Sequence, residues 1–130
     1  MSRSCVLLLL VAVAVTGACG GGPEPGNLTL ELSTPNSDDG AIQFRITSTL
    51  PNTISSASVA CTGCRIFTAK VSDTEVLGVV TGQIPSGGLV QISVSDVKVP
   101  TTYSASVVAV ASRQFAVRSA GAYRLSVPVQ

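Results

Sequence analysis

Two cysteines three positions apart form the most specific local feature downstream of the N-terminal leader. Cys61 and Cys64 flank Thr62-Gly63, a spacing shared by metal half-sites and redox pairs. A zinc site needs four ligands, yet the sequence has no histidine, and its other cysteines, Cys5 and Cys19, lie near the N-terminus. A thioredoxin-type role needs a helix N-terminus to activate the first thiol, and no helical periodicity surrounds this pair. We therefore predict a structural disulfide at a corner between two strands, formed in an oxidising compartment.

Catalysis has few residue types to draw on in this chain. The absence of histidine removes the commonest general base and every Ser-His-Asp or Cys-His arrangement. Most carboxylates fall in predicted turns, where we expect solvated side chains: Asp38, Asp39, Asp73 and Glu75. An enzyme would need at least two of these carboxylates to converge in one pocket. We therefore expect a non-catalytic protein, with no catalytic residue and no cofactor assigned.

The acidic positions also suggest no metal centre. Asp38-Asp39-Gly40 could offer oxygen ligands to calcium, but two adjacent acids lack the spaced ligands of a calcium loop. Asp96, two positions before Lys98, is interpreted as a turn residue rather than as part of a site. No metal ligand is predicted, and calcium binding by turn carboxylates stays open.

Aromatic residues are too few to indicate a sugar-binding surface. The sequence has no tryptophan, and the whole set is Phe44, Phe67, Phe115, Tyr103 and Tyr123. At strand positions such rings more often belong to a core. A carbohydrate-binding protein would instead present an exposed tyrosine or phenylalanine beside an acidic loop. Residues 113–118, which include Phe115, predict an exposed hairpin of mixed apolar and basic character.

The charge distribution argues against a nucleic-acid partner. Eight Lys or Arg and seven Asp or Glu residues give a formal net charge of +1, and one of the basic residues is Arg3, in the leader. The remainder is balanced, without a basic face, a run of like charge or aromatic residues between basic ones. Low charge content with abundant Ser, Thr and Val is typical of β-rich extracytoplasmic domains.

The N-terminal segment predicts export. Arg3 supplies a short positive start, residues 5–15 are uninterruptedly apolar, and small residues follow up to Cys19. The apolar run is well short of the roughly 20 residues that cross a bilayer as a helix, so residues 1–18 are interpreted as a cleaved signal peptide. Val15-Thr16-Gly17-Ala18-Cys19 resembles the lipobox of bacterial lipoproteins. This resemblance implies lipidation of Cys19; the alternative is a secreted protein with an incidental cysteine.

Residues 19–26 predict a tether between the lipid and a folded domain. They are rich in Gly and Pro and contain no apolar side chain to bury after Cys19. Gly20 stands where enteric lipoproteins carry an aspartate for inner-membrane retention, which favours the outer membrane. The expected location is therefore the bacterial cell envelope, at the outer membrane or cell surface, with the membrane as partner through the anchor.

From residue 27 onward, apolar and polar residues alternate with period two, and turn residues interrupt them at the roughly 8–12-residue spacing typical of antiparallel sandwiches. We predict one all-β domain over residues 27–130, an antiparallel β-sandwich of about eight strands. The predicted strands cover residues 28–32, 42–46, 54–61, 65–71, 76–81, 89–94, 103–112 and 123–129. The first, second and sixth of these strands each carry one alternating apolar set: Leu28, Leu30 and Leu32, then Ile42, Phe44 and Ile46, then Val90, Ile92 and Val94. In the fourth strand we expect Phe67, Ala69 and Val71 to face inward, and in the seventh we expect one face to hold Tyr103, Ala105, Val107, Ala109 and Ala111.

The corner at residues 34–40, the number of strands and the closing strand with Tyr123 resemble small cohesin-like and immunoglobulin-like sandwiches of bacterial cell surfaces. The resemblance implies the fold and carries over no binding residue. The expected function is that of a non-catalytic binding or structural module, which would meet a protein or glycan partner through open strand edges or end loops. The alternative is a carbohydrate-binding or carbohydrate-processing accessory protein.

Overall fold

The computed structural model describes residues 21–128 of the chain. The predicted signal peptide, the lipidation site Cys19 and Val129 of the closing strand lie outside the described residues. Nine strands follow one another: Gly26–Ser33 (β1), Asp39–Ser48 (β2), Ile54–Val59 (β3), Arg65–Ser72 (β4), Glu75–Thr81 (β5), Gly87–Val94 (β6), Tyr103–Ser112 (β7), Val117–Arg118 (β8) and Arg124–Ser126 (β9). Only two short 3-10 turns, at Pro100–Thr102 and Ala120–Ala122, interrupt this order in the described range.

The strands form two antiparallel sheets that pack face to face. One sheet has four strands in the order β3-β6-β1-β9, and the other has five in the order β4-β5-β2-β7-β8. This confirms the all-β sandwich. β5, which the sequence predicts to be central because it is apolar on both sides, does lie between β4 and β2. β9 is an edge strand, as Pro128 just beyond it predicts.

The core lies between the sheets and is built by the period-two alternation of the strands. Every second residue of β1 and β2 is buried, and β6 supplies a matching set: Leu28, Leu30, Leu32, Ile42, Phe44, Ile46, Val90, Ile92 and Val94. Each such side chain contributes about 1.5–3 kcal/mol when it is fully removed from water. Burial of these alternating apolar side chains therefore holds the two sheets together.

The described residues form nine strands where the sequence predicts about eight, and the additional strand is β8. β8 is the returning arm of the hairpin at residues 113–118, and it pairs Ala111 with Val117 and Val110 with Arg118. Two residues are too few to show an alternation of period two, so the sequence pattern predicts only a bend here.

The inward-facing set predicted for β4 is wrong. Phe67 and Val71 are 62% and 56% exposed, Ala69 is also exposed, and Ile66 on the opposite face is the residue that packs against the core. Alternation separates two faces of a strand but does not say which face is buried. The pairing with β5 decides which face is buried, because Ile66 lies beside the buried Val80, whereas Phe67 lies beside Val79 on the outer face.

The residues predicted to share one face of β7 do so only in the first half of the strand. Tyr103, Ala105 and Val107 face the core, but Gln43 of β2 lies opposite Ala109 while the next residue, Phe44, lies opposite Val107. The extra residue forms a β-bulge and reverses the facing of the later residues of β7. Val110 and Ser112 are buried as a result, and Ala109 is exposed.

Candidate functional site

One end of the sandwich carries a buried carboxylate, Asp39, at the first position of β2. Its side chain is completely buried. The Tyr123 hydroxyl donates a hydrogen bond to it at 2.7 Å, the Thr34 hydroxyl contacts it, and Arg118 Nη1 lies 3.5 Å away. A buried carboxylate is tolerated only when hydrogen bonds and an opposite charge replace water. The expectation that Asp39 is a solvated turn residue is therefore wrong.

The loop between β1 and β2 is folded by its own polar side chains. Thr34 Oγ1 accepts a hydrogen bond from the Asn36 backbone amide at 3.1 Å, which closes a tight turn. Asn36 Nδ2 then donates to the Tyr123 hydroxyl at 2.8 Å. Tyr123 thus accepts from Asn36 and donates to Asp39, so the closing strand is joined to this loop. Among the described residues, no buried side-chain polar atom lacks a partner.

Asp38 forms a second, more accessible contact with Arg118 of β8. The guanidinium donates to both carboxylate oxygens, at 2.6 and 2.8 Å, in the two-bond geometry typical of strong Arg–carboxylate pairs. The hydrogen bond from Arg118 holds the pKa of Asp38 below its usual value. The same contact raises the pKa of Arg118. Both groups are charged at neutral pH, and together they attach β8 to the β1–β2 loop.

The hairpin between β7 and β8 lies against the same loop and holds Phe115 outward. The buried Ser112 accepts backbone hydrogen bonds from Gln114 and Ala116 through its hydroxyl, and its carbonyl accepts from Phe115. Phe115 has φ 65°, the left-handed region in which a bulky residue is strained, and its side chain is 90% exposed. Val117 is 87% exposed, so the predicted exposed hairpin of apolar and basic residues is confirmed.

Arg113 connects this hairpin to the loop that carries the acids. Its backbone amide donates to the Asp38 carbonyl at 2.8 Å, and its guanidinium donates to the Ser37 carbonyl at 2.9 Å. A Cβ built on Gly40 would come within 2.9 Å of the Arg113 backbone. Only glycine therefore permits the hairpin and the loop to approach this closely.

An open cleft of about 420 Å³ lies on the outer face of the five-stranded sheet beside Phe115. Its floor consists of small residues and its rim includes two larger side chains: Gly40, Ala41, Thr81, Gly82, Ala111, Ser112, Arg113 and Phe115. Gly82 has φ 131°, and a Cβ there would lie 2.8 Å from the Gly63 carbonyl, so the corner closed by the cysteines abuts the cleft. We call this feature the Phe115 cleft. It presents an aromatic ring and a guanidinium over a small-residue floor.

The structure confirms the predicted disulfide. Cys61 and Cys64 are bonded, with their Cα atoms 5.6 Å apart, at the corner between β3 and β4. Their contacts are with the core and with the Gln83 carbonyl, 3.8 Å from Cys64 Sγ. The bond therefore fixes a corner next to the cleft.

The turn carboxylates do not converge in the structure. Asp38 and Asp39 lie at the start of β2, whereas Asp73 lies between β4 and β5, at the level of the other end of β2, where Thr47 pairs with Glu75. Within residues 21–128, no group of three or more His, Cys, Asp or Glu residues is placed to hold a metal ion. Glu75 instead pairs with Arg45 on the outer face of the sheet.

Asp96 acts as a turn residue, as predicted, and also receives part of the predicted tether. Its carboxylate accepts the backbone amides of Lys98 at 3.0 Å and Glu24 at 3.2 Å, and the Val97 amide donates to the Glu24 carbonyl. Lys98 Nζ donates to the Gly22 carbonyl. Residues 22–24 therefore lie along the domain instead of extending freely from it.

The aromatic residues divide between the core and the surface. Phe44, Tyr103 and Tyr123 are buried as predicted, while Phe67 and Phe115 are exposed. The partnership of Asp39 with Tyr123 is the feature that sequence reasoning missed. The two residues are 84 positions apart, and a single sequence carries no signal that pairs an acid in a turn with one of two tyrosines.

Comparisons of the chain with protein-family models, curated proteins and solved structures found no match. Within residues 21–128, no helix is both long and apolar enough to cross a membrane.

Proposed function

We propose that this chain is a lipid-anchored β-sandwich of the bacterial cell envelope that binds a partner without catalysing a reaction. The anchor is supported by the leader, by the lipobox-like residues ending at Cys19 and by the Gly/Pro segment that follows. Several acyl chains on one cysteine would hold the protein on a membrane, since one chain alone binds only marginally. A small sandwich displayed in this way is suited to presenting its end loops and strand edges to a neighbour.

The exposed and strained Phe115 is the observation that carries the binding proposal. An L-residue in the left-handed conformation costs roughly 1–2 kcal/mol, and such strain clusters at functional sites. The ring borders the Phe115 cleft, and the backbone that holds it is fixed by Ser112 and Asp38. The surrounding contacts therefore hold an aromatic side chain in water, where it does not stabilise the free protein. A ligand that covers the ring would supply the compensating burial.

Carbohydrate binding is the second candidate function, and the position of Phe115 favours it. An exposed phenylalanine beside an acidic loop is the feature expected of a sugar-binding site in this chain, and the Arg113 amide bonded to the Asp38 carbonyl joins these two segments. The Asp38 and Asp39 carboxylates are already engaged by Arg118 and Tyr123. Polar contacts to a sugar would therefore come from the backbone and from the guanidinium of Arg113 rather than from these acids.

The anchor is tested by substituting the lipobox cysteine in the native host. Cys19→Ala should move the protein from the membrane pellet to the soluble fraction, because it removes the only thiol at the predicted cleavage site. Cys5→Ala, within the same leader, is the matched control and should still pellet with membranes. Continued membrane association of the Cys19→Ala protein would contradict the anchor.

The cleft is tested by co-sedimentation with insoluble envelope fragments from the same host. Phe115→Gly removes the ring while suiting the backbone conformation, and it should lower binding at least tenfold. Val117→Ala, on the same hairpin but outside the cleft, should bind as the wild type does. Undiminished binding of Phe115→Gly would refute the role of the cleft. Periodate treatment of the fragments should abolish binding if the partner is a glycan, and protease treatment should abolish it if the partner is a protein.

A further inference from the structure

The segment that leads back to the leader is fixed to one end of the sandwich, beside the connection between β6 and β7. The Glu24 amide donates a hydrogen bond to the Asp96 carboxylate at 3.2 Å. The Glu24 carbonyl accepts one from the Val97 amide at 2.8 Å. Lys98 Nζ donates to the Gly22 carbonyl, so the contact extends two residues further toward the leader. The part of the tether that the structure describes is therefore docked on the domain.

The docked tether and the Phe115 cleft lie at opposite ends of the domain. The cleft lies beside the first residues of β2, whereas the loop of residues 49–53 follows its last residue. That loop is bonded to the β6–β7 connection, because the Thr53 carbonyl accepts from the Ser95 amide and the Thr49 amide donates to the Thr102 carbonyl, each at 3.1 Å. β2 has 10 residues, and a strand rises about 3.3 Å per residue, so roughly 30 Å separates the two ends.

We call residues 49–53 together with residues 95–102 the tether end. Leu50 is 70% exposed there, and Pro51 beside it is also exposed. The only charged residues in these two ranges are Asp96 and Lys98, so the tether end carries no net charge. An exposed apolar side chain beside a lysine suits the boundary between lipid headgroups and acyl chains, where the ammonium group can remain hydrated.

The docked tether leaves only a short connection to the proposed lipid. Gly22 is the third residue after Cys19, and an extended chain spans at most about 3.6 Å per residue, so their Cα atoms lie no more than roughly 11 Å apart. A tether that was free up to Gly26 would reach roughly 25 Å. The headgroup layer on each side of a bilayer is roughly 5–8 Å thick. A lipid on Cys19 would therefore hold the tether end close to the headgroups.

We propose that the tether end contacts the headgroup layer of the membrane through Leu50, and that the Phe115 cleft faces away from the bilayer. This proposal rests on the proposed lipidation of Cys19 and adds the orientation of the domain. The cleft would then lie roughly 30 Å beyond the tether end. A partner in the cleft would be met away from the lipid surface.

Fluorescence quenching in lipid vesicles tests the orientation. The full chain, purified in detergent from host membranes, would carry bimane at Leu50→Cys or at Val117→Cys on β8; Cys61 and Cys64 are bonded to each other and do not compete for the label. The vesicles would contain phosphatidylethanolamine and phosphatidylglycerol, part of it with a nitroxide on the headgroup. Quenching at position 50 should exceed that at position 117 at least about twofold, because only position 50 would lie at the headgroup layer.

The two ways in which this experiment can fail are distinguishable. Equal quenching at the two positions, or stronger quenching at position 117, in a chain that floats with the vesicles would overturn the orientation and leave the anchor in place. A chain that does not float with the vesicles would overturn the anchor and the orientation together.

Releasing or lengthening the tether tests why the domain is oriented. Asp96→Ala removes the acceptor of the Glu24 amide and should lower the quenching at position 50, because a free tether reaches further. Asp73→Ala, in a turn at the same end, is the matched control and should leave the quenching unchanged. Inserting about ten Gly and Ser residues after Gly20 leaves the folded domain intact and should lower the quenching at position 50 to the level at position 117, because the connection then spans roughly 20 Å on average. Unchanged quenching in the insertion variant would overturn the proposal.

Discussion

The two edges of the five-stranded sheet differ in how they meet solvent. β8 is two residues long, and its Arg118 is bound to the β1–β2 loop by two hydrogen bonds to Asp38. β4 is eight residues long, and its outward apolar residues are exposed. Natural sheets protect their edges with short strands, charged side chains and β-bulges. The β8 edge is short and charged, whereas the longer β4 edge carries Arg65, Lys70 and a β-bulge between Lys70 and Ser72. The difference indicates that the β8 edge is fixed against the rest of the domain, whereas the β4 edge leaves an apolar strip in solvent.

Removing the buried carboxylate should affect the β8 end most strongly. Asp39→Ala leaves the Tyr123 hydroxyl without its acceptor and removes one of two acceptors from the Thr34 hydroxyl and one from Arg118. It should lower the free energy of unfolding by about 2–4 kcal/mol. Urea denaturation measures the change. Asp73→Ala, at the β4 end, is the control and should change stability by less than about 0.5 kcal/mol. Equal effects of the two substitutions would mean that Asp39 has no special role in the β8 end.

The disulfide should contribute less than the carboxylate network. Replacing Cys61 and Cys64 with serine should cost about 2 kcal/mol, because the loop that they close is very short. Urea denaturation with and without reductant gives the measurement. Reductant should destabilise the wild type and leave the double variant unchanged. Complete unfolding of the double variant would show that the bond is needed for the fold rather than for its corner.

Glycine substitutions at the two exposed phenylalanines should change the stability of the fold in opposite directions. Phe115→Gly relieves a left-handed backbone and should raise stability by about 0.5 kcal/mol after the entropic cost of glycine is subtracted. Phe67→Gly weakens an extended strand and should lower stability by about 0.5–1 kcal/mol. Thermal denaturation of both variants beside the wild type measures the two stability changes under the same conditions. A loss of stability at position 115 would argue against strain in the hairpin.

The Asp38–Arg118 pair should give the smallest effect, seen as a dependence on pH. Since the pKa of Asp38 is lowered in the folded chain, the unfolded chain takes up its proton first. The stabilisation is complete above the ordinary aspartate pKa of about 3.9 and is lost as the pH falls through the lower folded value. Asp38→Asn should flatten this part of the stability profile. An unchanged acid limb in Asp38→Asn would assign the dependence to other carboxylates.

Period-two alternation was enough to predict the sandwich, its core faces in β1, β2 and β6, and the central place of β5. It could not predict which face of β4 is buried, because Ile66 and Phe67 are both apolar and the sheet order decides between them. The bulge in β7, opposite Gln43 and Phe44, likewise depends on the pairing with β2. The sequence of β7 alone therefore does not show that its side chains change faces after Val107.

The candidate site was predicted in its local parts and missed in its long-range ones. The Cys61–Cys64 corner and the exposed hairpin follow from residue types within a few positions of one another. The burial of Asp39 depends on Tyr123 and Arg118, which reach it only after the chain has crossed both sheets. Tertiary contacts of this kind override the tendency of an acid in a turn to remain solvated.

Photocrosslinking from the two exposed phenylalanines tests directly whether the cleft beside β8 binds a partner that the β4 edge does not. Benzoylphenylalanine would be placed at position 115 or at position 67 of the chain produced in living host cells. We expect position 67, on the β4 edge, to give no adduct in common with position 115. We expect position 115 to give an adduct with another component of the cell, lost when Thr81→Trp, on the floor of the cleft, fills it. No adduct at position 115, or the same adduct at both positions, would contradict the account.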